Sequence, residues 1–460
     1  MLLPIVLAPQ TTAAEVRARA DRLVAAKRFS EASVAFLEAS RRYGALGDPN
    51  AAQILRDYSR RYRTDAILYV DDVPQPALNL ARLEPTAGCY LGASVEREDN
   101  ANRDPATFNR RMGRNHALFF MYRSFGREFP SELARNLRRI GAGLQIAWEP
   151  RDLRETENTK YLNDFLRSAA RSDIPVFLRF ASEMNGNWTR YHGDPATYRE
   201  AFRRVAALAH AIAPNVAMVW CPADSPERNL DDYYPGAEAV DWVGVNFYSV
   251  LYNDGDRGRE AAWRHPEDSL DTIYRKYATR HPMMVGEWAA TRRSVVDGIA
   301  RPDFAVEKIR QFYSAVPRLY ARVKAIHWLS ANTMLYAQGA RRLNDFTLLG
   351  NAAVMEAYRE ATGEPSYLGH VGEFARTSPR PIRANETLPR QIFLSAYARS
   401  YVPQPKVTIL VDGKTVLDET KAGAHRIPVT LSPGNHRLEL IVRDNEGRIA
   451  GKQALTAGTL

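Results

Sequence analysis

The chain has 460 residues, of which 45% are hydrophobic and 25% charged. At roughly 100 to 200 residues per domain, that is globular sequence for about two to four domains. It excludes a disordered tail, a collagen-like repeat and a disulfide-stapled miniprotein, because two cysteines, Cys89 and Cys221, build neither a disulfide framework nor a four-thiolate zinc site. The formal charge of +10 rests on arginine, since only nine of the 63 basic residues are lysine. The arginines are scattered among carboxylates without a basic run, so no nucleic-acid partner is expected. No apolar stretch reaches the roughly 20 residues that span a bilayer.

Met1 to Ala8 (MLLPIVLA) is apolar and runs into Thr/Ala-rich sequence, like the core and cleavage zone of a signal peptide without its positive n-region. Secretion or a cell-surface location is one expectation; an apolar strand or a misplaced start codon is the other. Residues 13 to 65 read as helices, with Val16, Leu23, Val24, Phe29, Val34, Phe36 and Leu37 near helical spacing. Ser30 and Glu31 fit the start of a second helix, Gly44 its end, and Asp48-Pro49 the start of a third. The run RFSEASVAFLEASRRYG resembles a tetratricopeptide-type hairpin. Too little of that pattern is present for a solenoid, so residues 1–65 are expected to form a helical cap.

Eight apolar, β-rich runs then alternate with helical sequence: Gly88 to Val95, Ala117 to Tyr122, Leu144 to Trp148, Pro175 to Phe180, Asn215 to Trp220, Asp241 to Asn246, Pro282 to Glu287 and Val323 to Trp328. Their number and spacing predict an α/β fold, a (β/α)8 TIM barrel over residues 66–362. A doubly wound open sheet is the alternative, but no glycine-rich phosphate turn follows the first run. Residues 363–390, with Pro365, Pro379, Pro381 and Pro389, read as a linker or wrapping segment. Residues 391–460 alternate in period two between turn signals, which predicts an all-β immunoglobulin-like sandwich. This last domain has no Trp, and its main aromatics are Phe393, Tyr397 and Tyr401. A spacer is therefore expected rather than a sugar-binding module.

Reacting groups in a (β/α)8 barrel stand at the carboxyl ends of its strands. Glu183 follows the fourth run in Arg179-Phe180-Ala181-Ser182-Glu183-Met184-Asn185-Gly186-Asn187-Trp188, and Glu287 ends the seventh in Met284-Val285-Gly286-Glu287-Trp288. Two carboxylates converging on one cleft, about 5 to 5.5 Å apart, are what retaining glycoside hydrolysis requires, one as proton donor and one as nucleophile. Trp148, Trp220 and Trp328 end the third, fifth and eighth runs, while Trp188 and Trp288 follow the glutamates; flat aromatic faces suit sugar rings. Glu149 and Asp224 also follow strand ends, as substrate contacts, competing acids or structural groups. The nine histidines show no HExxH pattern, and His327 either reaches the site or faces the wall. No metal and no cofactor are expected, and no GxSxG elbow points to a serine hydrolase.

The fourth-strand motif resembles glycoside hydrolase family 26, a clan A family that includes β-mannanases. The likeness runs from about Gly88 to Thr333 and takes in Trp148-Glu149-Pro150, Tyr234-Pro235-Gly236 and the seventh-strand glutamate. It implies Glu183 as general acid/base and Glu287 as nucleophile, with Arg179, Trp188 and Tyr248 lining the −1 region. Two positions depart from the family: Ser182 stands where His usually precedes the acid/base, and Asn246-Phe247-Tyr248 replaces Asp-x-Tyr. The resulting expectation is an endo-acting retaining β-glycanase acting on β-mannan or a related β-glucan, with Trp148, Arg179, Asn185, Trp188, Trp220, Asn246, Tyr248, Trp288 and Trp328 binding the polysaccharide. The chain is expected to be a monomer. The competing expectation is a non-hydrolytic polysaccharide-binding or cell-surface assembly protein that uses the barrel mouth as a lectin-like groove.

Overall fold

The computed structural model describes residues 12–75, 79–401, 405–420 and 425–459; the signal-like segment Met1 to Ala8 lies outside them. The eight apolar runs form parallel strands: β1 (Cys89–Arg97), β2 (Leu118–Ser124), β3 (Gly143–Glu149), β4 (Val176–Phe180), β5 (Val216–Trp220), β6 (Trp242–Asn246), β7 (Met283–Trp288) and β8 (Val323–Ala331). Each pairs with the next, and β8 pairs back onto β1 with Ala325 opposite Tyr90, so the sheet closes into the expected barrel. Both faces of each strand are covered, which is why the runs read as continuous apolar sequence.

Strand parity divides these residues into two layers. Tyr90, Leu118, Phe177, Val219, Met284 and Ala325 belong to one inner cluster. Their neighbours on the opposite face pack against the helices, among them Thr159–Arg171, Pro266–Tyr277, Pro302–Leu319 and Ala352–Thr362. Within the expected wrapping segment, Tyr367–Leu368 adds a short parallel strand beside β1.

The described residues up to Val70 and from Pro381 onward cluster as a second compact unit. Three helices, Ala13–Ala25, Phe29–Ala45 and Pro49–Tyr62, bury Val16, Leu23, Phe36 and Leu55 among themselves. Asp48 caps the third helix as expected, accepting from Ala51 N at 2.9 Å. The second starts at Phe29 without a side-chain cap. Strand Asp65–Asp72 differs from expectation. The barrel was expected to begin at residue 66, yet this strand pairs antiparallel with Gln391–Arg399. The physical reason is its alternation, which delivers Leu68 and Val70 to the core that Leu394, Val407, Leu438 and Val442 share. A second sheet runs through Lys414–Glu419, Lys406–Val411, Gly434–Arg443 and Ile449–Thr459, and the two sheets enclose that core.

Leu394 is fully buried between these sheets. Leu394→Ala is expected to destabilise the β-sandwich unit by about 2–5 kcal/mol, measured by urea unfolding followed in far-ultraviolet circular dichroism.

Candidate active site

The loop after β4 is held from both sides before any side chain is considered. Ala181 N donates to Trp148 O at 3.0 Å and Glu183 N to Cys221 O at 2.8 Å, tying it to the ends of β3 and β5. Ala181 and Glu183 both take left-handed backbone, with φ of 47° and 60°, at a cost of about 1–2 kcal/mol each for a residue with a Cβ. Strain of this kind persists where surrounding contacts over-determine it. The rest of the motif has structural duties. Asn185 is fully buried, accepts from Ala223 N at 2.9 Å and donates to the carbonyls of Ala223 and Pro226, both at 3.0 Å. A Cβ on Gly186 would fall 2.3 Å from the Trp188 ring. Glycine there lets the indole fold back so that its Nε1 donates to Glu183 Oε2 at 2.7 Å.

Glu287 owes its position to an irregularity in β7. Val245 of β6 lies opposite Val285, but Asn246 lies opposite Glu287, so Gly286 is an extra residue in the ladder, and such a bulge re-aims the side chain beside it. Glu287 is buried, and its Oε1 accepts from Arg179 Nη2. Arg179 is also fully buried; its Nη1 donates to Asn246 Oδ1 at 2.9 Å, and its guanidinium lies 5.5 Å from the Phe120 ring. Asn246 then donates from Nδ2 to Glu183 Oε1 at 2.8 Å. One amide and one guanidinium therefore link the two carboxylates. Oε2 of Glu287 accepts from two phenols, Tyr122 at 2.7 Å and Tyr248. Burial, then the charge of Glu287, raises both phenols well above 10, so both remain donors.

Ser182 donates to Glu149 Oε1, and Tyr191 Oη lies 2.6 Å from Glu149 Oε2 and 2.5 Å from Ser182 O. Burial raises the Glu149 carboxyl, with the two hydroxyls acting against that shift. Asp224 is pushed up to about 6 by burial, opposed by Ser269 and Arg264 and reinforced by Glu227 and Glu183. His327 does not reach the mouth. It is fully buried inside the ring, with Nδ1 3.3 Å from Val285 O, and burial pushes it down to about 3.

The structure brings Glu183, Glu287, Trp188, Asn246 and Tyr248 together, with Arg179 behind them. Arg179 acts through Glu287 and Asn246 rather than as a surface for substrate, and Asn185 is consumed by backbone. Four tryptophans expected at the mouth are instead fully buried on the helix side. Trp148 stacks on Phe165 at 4.2 Å, Trp220 meets Tyr277 at 5.2 Å, Trp288 meets Phe312 at 4.5 Å, and Trp328 donates Nε1 to Phe346 O at 2.9 Å. Parity explains the correction: Trp220 and Trp328 each adjoin an inward residue, Val219 and His327, and the bulge turns Trp288 outward once Glu287 points in. Trp188, in the loop and 48% exposed, is free of that constraint. Tyr122 was missed. Its signal was the same parity, two residues beyond Phe120 and four beyond Leu118 of the inner cluster.

A Cβ on Gly286 would lie 2.7 Å from Asn246 Oδ1 and 2.8 Å from Arg179 Nη1. Gly286→Ala is expected to cost about 1–3 kcal/mol by overpacking, measured by denaturant unfolding, and to part Arg179 from Asn246 in a crystal structure. The raised Asp224 carboxyl favours the folded state when protonated, a contribution present below about pH 4 and lost as pH rises through about 6. Asp224→Asn is therefore expected to raise Tm at pH 7 and to leave it unchanged near pH 3.5, read by calorimetry at both values.

Residues 155–258 match the family described as Glycosyl hydrolase family 26; the match takes in Arg179, Glu183, Trp188, Asn246 and Tyr248 and stops short of Glu287. A β-1,3-xylanase of a Vibrio species is 28% identical over 127 residues, 26% of this chain and 27% of the relative. A second, from an Alcaligenes species, is 24% identical over 127 residues, 26% of each chain. The chain thus matches about a quarter of the length of these curated relatives. Among solved structures, an endo-β-1,4-mannanase of Cellulomonas fimi superposes with a TM-score of 0.46 at 16% identity, covering 81% of this chain and 94% of that one. Within the barrel, the stretch from residue 155 to 258 is thus similar in sequence to glycosyl hydrolase family 26.

Proposed function

We propose that the protein is a retaining endo-β-glycanase in which Glu183 is the general acid/base and Glu287 the nucleophile. The observation that carries this reading is the short link between them, Glu183 to Asn246 to Arg179 to Glu287. It ties both carboxylates to one arginine and one amide at the same end of the barrel, the convergence that a paired-carboxylate mechanism requires. In the first step Glu287 attacks the anomeric carbon while Glu183 gives its proton to the departing oxygen. In the second, Glu183 takes a proton from water, and that water releases the glycosyl group from Glu287. The Trp188 face beside Glu183 supplies a sugar platform. For substrate we propose a β-linked polysaccharide, β-mannan or a related β-glucan, with β-1,3-xylan added by the xylanases that match 26% of this chain. Secretion accords with a polymeric substrate. No helix among the described residues is long and apolar enough to cross a membrane.

The test is the anomer first released from a panel of β-mannan, β-1,3-xylan and mixed-linkage glucan, read by proton NMR. β-Product first is expected, α-product first refutes the double displacement, and binding without any product favours the lectin-like alternative. Glu287→Ala is expected to reduce turnover to background and, because the buried Arg179 loses its counter-charge, to lower Tm, with circular dichroism at the assay temperature checking that the variant is folded. Glu183→Gln is expected to lose about 10²–10⁴-fold on polymer and little on dinitrophenyl glycosides, whose leaving group needs no proton.

A further inference from the structure

We propose that Tyr122 is a further residue of the catalytic centre: its phenol caps Glu287 in the free protein and passes to the sugar hydroxyl beside the anomeric carbon as Glu287 attacks. This rests on the glycanase reading above and deepens it.

A carboxylate oxygen offers two in-plane lone pairs. On Glu287, Oε2 gives both to phenols, Tyr122 at 2.7 Å and Tyr248. Oε1 is bound to the fully buried Arg179, so Oε2 is the oxygen on the side that a sugar can enter. That oxygen has no pair for carbon until one phenol leaves. Tyr248 is half-buried and stacked on Phe346, with ring centroids 5.3 Å apart and planes 28° from parallel. Tyr122 is 41% exposed and meets Phe120 only edge-on. Tyr122 is thus the phenol with room to move.

The acceptor it moves to follows from what its neighbours are already doing. Ser182 gives its hydroxyl to Glu149, Asn185 is tied to backbone, and Asn246 divides its amide between Glu183 and Arg179. The hydroxyl beside the anomeric carbon is the sugar group nearest the attacked atom, and contacts to it strengthen in the transition state of glycoside cleavage. In the step itself, a lone pair of Oε2 forms the bond to the anomeric carbon and the bond to the leaving oxygen breaks. Glu183 supplies the proton that oxygen takes, and Tyr122 keeps its own proton and changes only its acceptor.

The experiment compares wild type with Tyr122→Phe, which keeps the ring and removes the hydroxyl. On the polymer that wild type cleaves, kcat is expected to fall about 3- to 10-fold, the size of one hydrogen bond between neutral groups, with KM within about threefold, as for a contact made only in the transition state. On an aryl glycoside of the same sugar lacking the 2-hydroxyl, wild type and variant are expected to run at equal rates, because the partner of the phenol is gone. A variant within about twofold of wild type on polymer overturns the proposal and leaves the glycanase reading standing. So does a variant whose loss persists undiminished on the 2-deoxy glycoside, which would make Tyr122 a prop for Glu287 alone. A wild type inert across the polymer panel overturns both.

Discussion

A guanidinium withdrawn from water governs the mouth of this barrel. Arg179 is fully buried, and an unpaired charge there would be prohibitive, so each partner it meets is a condition of the fold. Glu287 supplies the counter-charge, Asn246 the neutral acceptor and Phe120 an aromatic face. Removing one member of such a buried pair costs about 3–5 kcal/mol because the other is stranded. The arrangement also requires Gly286, whose missing Cβ is the space in which Arg179 and Asn246 meet. The groups with the most chemistry are thus also those that the core can least afford to misplace.

The two departures from the family pattern acquire a physical meaning in this setting. Asn246 can face Glu183 with an N–H because it is an amide; a carboxylate at the same place would set acceptor against acceptor. Ser182 is too short to do what an imidazole does toward a sugar, and its hydroxyl turns to Glu149 instead. Glu149, Glu183, Asp224 and Glu287 therefore crowd one end of the barrel, and the raised carboxyls of Glu149 and Asp224 record the burial of acids there.

The barrel was legible because eight runs buried on both faces leave an unbroken apolar signature, and the two glutamates because a strand end is where such a fold exposes chemistry. The strand Asp65–Asp72 was not, since a lone alternating segment before a barrel says nothing about which sheet it joins. Assigning Trp148, Trp220, Trp288 and Trp328 to the mouth treated nearness to a strand end as sufficient and ignored the face. Counting by twos from Leu118, Val219 and Ala325 separates them from Tyr122. Only the β7 bulge defeats that count, because nothing in Val285-Gly286-Glu287 announces an extra residue beyond the glycine itself.

The placement of the indoles has an optical consequence. All seven lie between residues 148 and 328, so intrinsic emission is blind to the β-sandwich. Trp148, Trp220, Trp242, Trp288 and Trp328 are shielded and emit toward the blue, whereas Trp188 sits half in water against a carboxylate. The red edge of the spectrum belongs to that ring together with the part-exposed Trp263, and of the two it is Trp188 that reports on whatever comes to rest beside Glu183.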